Sequence, residues 1–266
     1  MIELVRVGAV DLEVAWVGSA DHDAPVIVFL HEGLGSLAMW KDFPARLCEA
    51  AGLRGLVYSR AGYGRSTPRA PDEHWDLDFM HRHACEGLPA LLDTVGVQAP
   101  YFLFGHSDGG SIALIHAAGF PDRVAASIVL APHIVVEEFG LDSIRKAREV
   151  FLTTDLKARL ARYHADVDSA FWGWNDIWLD PRFKQWSIES LLPAIRCPVL
   201  AVQGRDDEYG TMAQVDGIAA ALPGTRVLKL DRCGHSPHRD QPDKVIAATI
   251  EFIDSTGRLV QRLARR

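Results

Sequence analysis

The sequence predicts an α/β fold built around a mostly parallel β-sheet. Short apolar segments rich in β-branched and aromatic residues alternate along the chain with segments of helical periodicity. Strands buried on both faces of a parallel sheet have this composition, and crossover helices cover the two faces of such a sheet. With 266 residues, the chain suits one large domain or a core with an inserted subdomain.

Eight segments are predicted to be strands. The first two alternate in polarity, and the other six are almost continuously apolar. In chain order they are Ile2–Arg6, Leu12–Val17, Val26–Leu30, Gly55–Ser59, Tyr101–Gly105, Ala126–Ala131, Pro198–Gly204 and Arg226–Leu230. Helices are predicted at Phe43–Ala51, His81–Val95, Gly110–Ala118, Met212–Ala221 and Asp243–Asp254. Strands that alternate with helices in this way favour parallel pairing.

One long region interrupts the alternation. From about Pro132 to Arg196 helical patterns follow one another without a buried strand, which predicts a helical subdomain. Four of the seven tryptophans of the chain lie in this region, at Trp172, Trp174, Trp178 and Trp186. Their rings are expected to form the core of the subdomain, to line a pocket between it and the sheet, or both.

Composition and charge narrow the class of protein. The chain is 48% hydrophobic with a formal net charge of −7, which does not indicate nucleic-acid binding. Its one basic cluster, RLVQRLARR at 258–266, is predicted to be a solvated helix face. No signal peptide is apparent, and no apolar run approaches the ~18 residues of a membrane span. The four cysteines form no CxxC pair, so we expect a cytoplasmic protein with free thiols, without a membrane or metal partner.

The segment YFLFGHSDGGSIAL, residues 101–114, contains the pattern Gly-x-Ser-x-Gly between a predicted strand and a predicted helix. A sharp strand-to-helix turn can hold Ser107 where a base reaches its hydroxyl. Gly105 and Gly109 would allow the close main-chain approach that such a turn needs. The start of the following helix directs free N–H groups toward the site, and these suit an anionic intermediate. Ser107 is therefore the predicted nucleophile.

A serine nucleophile needs a base and an acid that orients the base, expected here in the order Ser, Asp or Glu, His. Asp206 and Asp207 follow a predicted strand in LAVQGRDDEYG, and His235 and His238 follow the next strand in KLDRCGHSPHRDQP. The carboxyl ends of the strands in an open α/β sheet are where sites form. These residues alone leave both pairs open. His133, Glu137 and Glu138, after the sixth predicted strand, are less favoured.

Over essentially its full length the chain resembles the α/β-hydrolase superfamily. The motifs that carry the resemblance are LHEGLGS, SRAGYGRS, GHSDGG, GRDD and CGHSPH. The resemblance implies an α/β-hydrolase fold, a mostly parallel eight-stranded sheet flanked by helices, with a helical cap after the sixth strand. The core would span 1–131 and 198–266, and the cap 132–197. The resemblance also selects Asp207 as the acid and His235 as the base, with Asp206 and His238 as alternatives.

By position and by the same resemblance, the main-chain N–H groups of Gly33 and Asp108 would form the oxyanion hole. The chain departs from the family pattern at two positions, and only the first concerns the oxyanion hole. His31-Glu32-Gly33 stands where many relatives have His-Gly, so Leu34 replaces Gly33 if Glu32 shifts the loop. Ser59 begins a motif that often starts with aspartate, which should change only a structural hydrogen bond.

The other side chains around these positions are expected to have structural or solvent-facing roles rather than chemical ones. Asp108 is expected to be a solvated or helix-capping acid; the alternative is a negative charge at the pocket rim, joined by Glu32, that attracts amine-bearing substrates. His106 is expected to be structural and His31 to brace its loop. Basic residues on the cap are expected to form a solvated face, namely Arg145, Arg148, Arg159 and Arg162.

The predicted function is that of a serine hydrolase acting on a small carboxylic ester, thioester or lactone without a metal or organic cofactor. The resemblance to valacyclovir-hydrolase-like esterases favours an ester. The resemblance to meta-cleavage-product hydrolases makes carbon–carbon bond hydrolysis the alternative, although HEGLGS differs from the HGGGPG loop common in that group. A non-catalytic binding protein on the same fold is the third possibility. The expected partner is a small-molecule substrate, and a homodimer is one possible oligomeric state.

Overall fold

The structure is a computed structural model that describes residues 2–70 and 72–263, with side chains described as far as Thr256. The described residues form one sheet of eight strands. The strands are β1 (Ile2–Val7), β2 (Val10–Gly18), β3 (Val26–Leu30), β4 (Arg54–Tyr58), β5 (Tyr101–His106), β6 (Val124–Leu130), β7 (Val199–Gly204) and β8 (Arg226–Leu230). Each lies within a few residues of its predicted position.

The strand order across the sheet is β1-β2-β4-β3-β5-β6-β7-β8. The pairs β1–β2 and β2–β4 are antiparallel, and every pair from β4–β3 to β7–β8 is parallel. The predicted mostly parallel eight-stranded sheet is therefore confirmed. The carboxyl ends of β5, β7 and β8 lie on the same side of the sheet, at the C-terminal ends of its parallel strands. The three triad candidates follow these ends directly.

The helices are α1 (Phe43–Ala51), α2 (Phe79–Arg82), α3 (Leu88–Thr94), α4 (Asp108–Gly119), α5 (Glu138–Thr153), α6 (Leu156–Leu160), α7 (Val167–Trp178), α8 (Ala213–Ala221), α9 (Pro237–Asp240) and α10 (Pro242–Leu263). The helix predicted at His81–Val95 is divided by a π-helical turn, His83–Gly87, between α2 and α3. Pro89 follows this turn, and because it has no N–H and its ring would collide with a carbonyl four residues earlier, regular α-helix cannot continue there. The predicted basic face at 258–266 lies outside the described side chains.

Both faces of the sheet are apolar, which explains the continuous apolar strands. Along β3, Ile27 and Phe29 pack into a cluster with α1 and α10, while Val28 and Leu30 pack into a cluster with α3, α4 and α8. Successive side chains of a strand point to opposite faces, so one strand contributes to both clusters. No helix among the described ranges has the length and apolar character needed to cross a bilayer.

The predicted helical region follows the sixth strand. It contains α5, α6, α7 and two 3₁₀ turns, Pro181–Gln185 and Glu189–Ala194, and we call it the helical insertion. The insertion is tied to the core by His164, whose Nδ1 accepts a hydrogen bond from the N–H of Gly64 at 3.0 Å. The Nε2 of His164 is 3.1 Å from the main-chain oxygen of Leu34. The insertion therefore lies directly over the loop that follows β3.

Candidate active site

Ser107 lies in the turn between β5 and α4 with φ 53° and ψ −121°, a strained conformation for a residue with a side chain. A side chain at Gly105 would collide with the main chain of Gly109, and one at Gly109 would collide with the main chain of Leu30. The main-chain N–H of Ser107 donates to the main-chain oxygen of Leu130, the last residue of β6, at 2.9 Å. The glycines thus permit a tight turn that presents the Ser107 hydroxyl at the sheet edge.

The structure brings Ser107, His235 and Asp207 together. The Oγ of Ser107 is 2.9 Å from His235 Nε2, and His235 Nδ1 is 2.8 Å and 3.0 Å from the two carboxylate oxygens of Asp207. Because a carboxylate only accepts, Nδ1 of a neutral His235 carries the proton. Its Nε2 is then free to accept a proton from the serine.

The carboxylate of Asp207 is held in place by several donors. Gln203 Nε2 donates to it at 2.6 Å, and the main-chain N–H groups of Tyr209 and Gly210 donate at 2.8 Å and 3.2 Å. Burial acts to raise the pKa of Asp207, but the hydrogen bond and charge of His235 and the N–H of Tyr209 outweigh it and lower the pKa. Asp207 is therefore ionised at neutral pH.

The alternative acid and base do not reach the serine. Asp206 is exposed, and its main-chain N–H donates to Cys233. His238 is buried against Trp40 and His106, with ring centroids 4.8 Å and 4.7 Å away. The geometry thus distinguishes Asp207 from Asp206 and His235 from His238, which the residues alone left open.

The two predicted oxyanion donors lie beside Ser107. Gly33, Leu34 and Asp108 line the same cavity as Ser107 and His235. Within residues 2–70 and 72–263 no acceptor is found for the main-chain N–H of Gly33, Leu34 or Asp108. The indole of Trp174 lies against Gly33 where a side chain would stand. These N–H groups are thus available to an oxygen bound near Ser107.

The cavity has a volume of about 150 Å³ and lies between the sheet edge and the helical insertion. An engineered cavity of about this volume in another protein binds benzene, so there is room for a small acyl group. The insertion supplies two of its four tryptophans to the wall, Trp174 and Trp178, and the other two, Trp172 and Trp186, pack on aromatic rings of the insertion. Both expected roles of these rings are thus present.

Asp108 is not the solvated acid that the sequence favoured. It is 1% exposed, because the helical insertion covers the start of α4. Trp178 Nε1 donates to its Oδ1 at 3.2 Å, and its Oδ2 is buried without a hydrogen-bond partner among the described residues. Burial raises the pKa of Asp108 to about 6. Asp108 thus lines the cavity and carries one buried carboxylate oxygen, Oδ2, without a donor among the described residues.

The other two carboxylates of the cavity wall are already occupied. Glu137 accepts from the N–H and hydroxyl of Thr211 at 2.9 Å and 2.6 Å and from Gln214 at 2.7 Å. Glu32 lies 3.4 Å from His106 Nδ1 and 3.6 Å from Arg239. Glu32 thus reaches the cavity, but it faces cationic or proton-donating groups on its own side.

The other histidines near the cavity make defined contacts. His31 braces its loop, since its Nδ1 is 2.7 Å from the oxygen of Glu32 and its Nε2 accepts from the N–H of Arg60. His106 is 1% exposed, and its Nε2 is 2.6 Å from the main-chain oxygen of His235. The ring of His133 lies on the cavity wall 5.9 Å from the ring of His235, and burial lowers the pKa of His133 to about 3, so it is neutral.

Four wall residues were not anticipated from the sequence, namely Gly140, Ile144, Tyr209 and Ser236. Tyr209 places its ring 4.7 Å from that of His235, and Ile144 of α5 lines the cavity opposite. The position of Tyr209 two residues after Asp207 was the available signal.

The arginines of the helical insertion lie at the surface, as expected. Arg145, Arg148 and Arg159 form ion pairs with acidic side chains, and Arg162 is exposed. No group of His, Cys, Asp and Glu side chains in the described part of the chain has the arrangement of a metal site.

Comparison with known proteins identifies the family. A family model described as "Alpha/beta hydrolase family" matches residues 27–248. RutD of Pseudomonas savastanoi pv. phaseolicola, whose name describes a carbamate hydrolase, is 29% identical over 88% of this chain and 95% of its own length. Serine hydrolase BPHL of Mus musculus is 27% identical over 97% of this chain and 84% of its own length.

The solved structures agree at the level of the fold. Proline iminopeptidase of Mycobacterium smegmatis superposes with a TM-score of 0.76 at 19% identity, covering 96% of this chain and 98% of that one. The family model includes the turn at Ser107, the helical insertion and the loops that carry Asp207 and His235. From the sheet, its strand order and this match, the chain belongs to the alpha/beta hydrolase family.

Proposed function

We propose that the chain is a serine hydrolase that cleaves small carboxylic esters, and that it prefers esters with an ammonium group next to the carbonyl. The observation that carries the first part is the continuous hydrogen-bond chain from Ser107 through His235 to Asp207. This is the arrangement of a nucleophile, its general base and the acid that orients the base. Ser107, Asp207 and His235 are the proposed catalytic residues.

The proposed reaction is acyl transfer through the Ser107 hydroxyl. Its oxygen attacks the ester carbonyl carbon while His235 Nε2 takes the proton, and Asp207 stabilises the imidazolium. The main-chain N–H groups of Gly33 and Asp108 would donate to the oxyanion. When the intermediate collapses, the alcohol leaves with the proton from His235 and an acyl-serine remains. Water, deprotonated by His235, then attacks this ester, and the acid is released as the proton returns to Ser107.

The preference for an ammonium group is proposed from the charges of the cavity. Its wall contains three carboxylates, Glu32, Asp108 and Glu137, and no lysine or arginine among the described residues. Glu32 and Glu137 have donors or cationic groups beside them, whereas Oδ2 of Asp108 has no donor among the described residues. A buried acceptor without a partner is costly, and an ammonium group supplies a charged donor. Asp108 follows Ser107 directly, so the ammonium would lie close to the reacting carbonyl.

Asp108→Asn is expected to lower kcat/KM for alanine benzyl ester by roughly 10- to 100-fold, the value of a hydrogen bond between charged groups. Benzyl propanoate, which differs only by the amine, should change little. Asparagine keeps an oxygen for the Trp178 indole, so the wall is preserved. Release of benzyl alcohol measures both rates. Glu137→Gln is the matched control, because it removes a charge from a carboxylate that is already paired. Equal losses on both esters would contradict the proposed amine site.

The preference should also depend on pH. Because burial raises the pKa of Asp108 to about 6, its carboxyl is largely neutral below that pH and charged above it. The ratio of kcat/KM for alanine benzyl ester to that for benzyl propanoate should therefore rise between pH of about 5 and about 7. Taking the ratio of the two esters cancels any effect of pH that both esters share. In Asp108→Asn the ratio should be flat over this range; a wild-type ratio that is equally flat would count against a titrating Asp108.

A further inference from the structure

A second hydrogen-bonded pair lies behind the proposed triad. His106 Nε2 is 2.6 Å from the main-chain oxygen of His235, and its Nδ1 is 3.4 Å from Oε2 of Glu32. Both rings, His106 and His235, are 5.1 Å apart between centroids. The mechanism proposed above uses neither His106 nor the side chain of Glu32.

The hydrogen bonds of His106 constrain where its protons lie. A main-chain carbonyl only accepts, so His106 Nε2 must carry a proton. In a neutral imidazole Nδ1 would then present a lone pair, and a carboxylate oxygen of Glu32 also presents lone pairs. The contact is attractive only if one further proton is shared by the pair, either on Nδ1 of His106 or on the carboxyl of Glu32.

The surrounding charges favour the ionised form of Glu32. Burial opposes charge on Glu32, but the hydrogen bond from His106 and the charges of His106 and Arg239 hold the pKa of Glu32 well below its ordinary value. Arg239 approaches the other carboxylate oxygen at 3.6 Å. His238, packed on His106, is neutral because burial keeps its pKa well below the ordinary value. Glu32 is thus a carboxylate.

We propose that Glu32 and His106 are a charged positioning pair that fixes the main chain of His235, the general base. The proposal rests on the proposed function for the role of His235. His106 precedes Ser107 in the chain, whereas His235 lies in the loop after β8, and β5 and β8 are not neighbours in the sheet. The charged hydrogen bond from His106 therefore joins the base directly to the nucleophile turn across the sheet edge.

Positioning of this kind acts on the rate of the chemical step. His235 is held at its ring by Asp207 and at its main-chain oxygen by His106, and its N–H donates to Glu208 at 3.1 Å. Glu208 is exposed, so the buried contact with His106 is the one shielded from water. A displacement of about 1 Å between reacting groups can cost on the order of 10²-fold in rate. Loss of the contact should lower kcat and leave KM largely unchanged.

The kinetic test compares two replacements of one residue on benzyl propanoate. His106→Leu removes the donor to His235 and is expected to lower kcat by roughly 10- to 100-fold. His106→Gln can donate its amide N–H to the same oxygen and should retain most of the activity. Circular dichroism and thermal unfolding verify that both variants are folded. A His106→Leu enzyme with unchanged kcat, or a folded His106→Gln enzyme as slow as His106→Leu, would overturn the positioning role.

A spectroscopic test needs no substrate and does not depend on the leucine variant folding. In protein with ¹⁵N-labelled histidine, the ring of His106 should show protons on both nitrogens at neutral pH, with the signals assigned by their loss in His106→Gln. In Glu32→Gln the amide donates to Nδ1, so the ring should become neutral with one proton. A singly protonated His106 ring in the wild type would contradict the charged pair. The two proposals fail on different measurements. Full activity of Ser107→Ala would contradict the proposed function without affecting the protonation measured for His106.

Discussion

Under the proposed function, replacing Ser107 with alanine is expected to lower kcat on p-nitrophenyl esters by on the order of 10⁶-fold, the loss that removal of the nucleophile causes in a serine protease. The reason is that the Oγ of Ser107 is the atom hydrogen-bonded to His235 Nε2 at 2.9 Å, and alanine leaves the base with nothing to deprotonate. The measurement follows release of p-nitrophenol from esters of increasing length, acetate to octanoate. With a cavity of about 150 Å³, we expect the shortest acyl groups to be preferred.

The matched control is Ser127→Ala. Ser127 is a fully buried serine of β6 whose hydroxyl has no partner among the described residues, so its loss should leave kcat unchanged. A phosphonylating inhibitor should add its mass to the wild-type chain and not to Ser107→Ala. If wild type were inert on every ester, a dienol ring-cleavage product would be the next substrate, and inertness there too would favour a binding protein. Substantial ester hydrolysis by Ser107→Ala would rule out the acyl-serine route.

Asp207→Asn is expected to lower kcat by on the order of 10⁴-fold, with little change in KM. The carboxylate now accepts from His235 Nδ1 at 2.8 Å and so keeps Nε2 free to take the serine proton. An asparagine amide that donates to Nδ1 would stabilise the opposite tautomer, in which Nε2 carries a proton and cannot act as a base. Asparagine retains an acceptor for the N–H groups of Tyr209 and Gly210, but its amide nitrogen would face the donor Nε2 of Gln203, so some loss of stability is expected.

Asp206→Asn provides the neighbouring control for this prediction. Asp206 is exposed, so its variant should keep kcat near the wild-type value. Steady-state kinetics on p-nitrophenyl acetate, with thermal unfolding to compare stability, measures both variants. A larger loss in Asp206→Asn than in Asp207→Asn would mean that the acid has been assigned to the wrong residue of the pair.

The sheet could be predicted from the sequence because its signal is local. A strand buried on both faces must be apolar at successive positions, and β3 and β5 to β7 show this without any knowledge of their partners. The tight turn at Ser107 was also predictable, because Gly105, Ser107 and Gly109 satisfy a steric requirement within five residues. The division of one predicted helix by a π-helical turn was not predicted, although Pro89 was visible in it.

The roles of the acids depended on tertiary contacts. Asp108 begins a helix, where a solvated acid is the ordinary expectation, yet α7 lies over it and Trp178 donates to it. Whether a side chain is buried depends on which distant element covers it, and local sequence does not contain that information. The same holds for Glu32, whose contact with His106 joins positions 74 residues apart.

By itself, the sequence determined the fold class, the place of the helical insertion and the order of nucleophile, acid and base candidates, since each follows from short-range periodicity and turn chemistry. Only the tertiary structure decided which aspartate and which histidine meet Ser107, because Asp206 and Asp207 are equivalent as residue types and differ only in direction. It also decided that Asp108 is buried at the cavity wall, with Oδ2 lacking a donor among the described residues. Directions of side chains and the free energy of a charge are set by neighbours far away in the chain, through packing and exclusion of water.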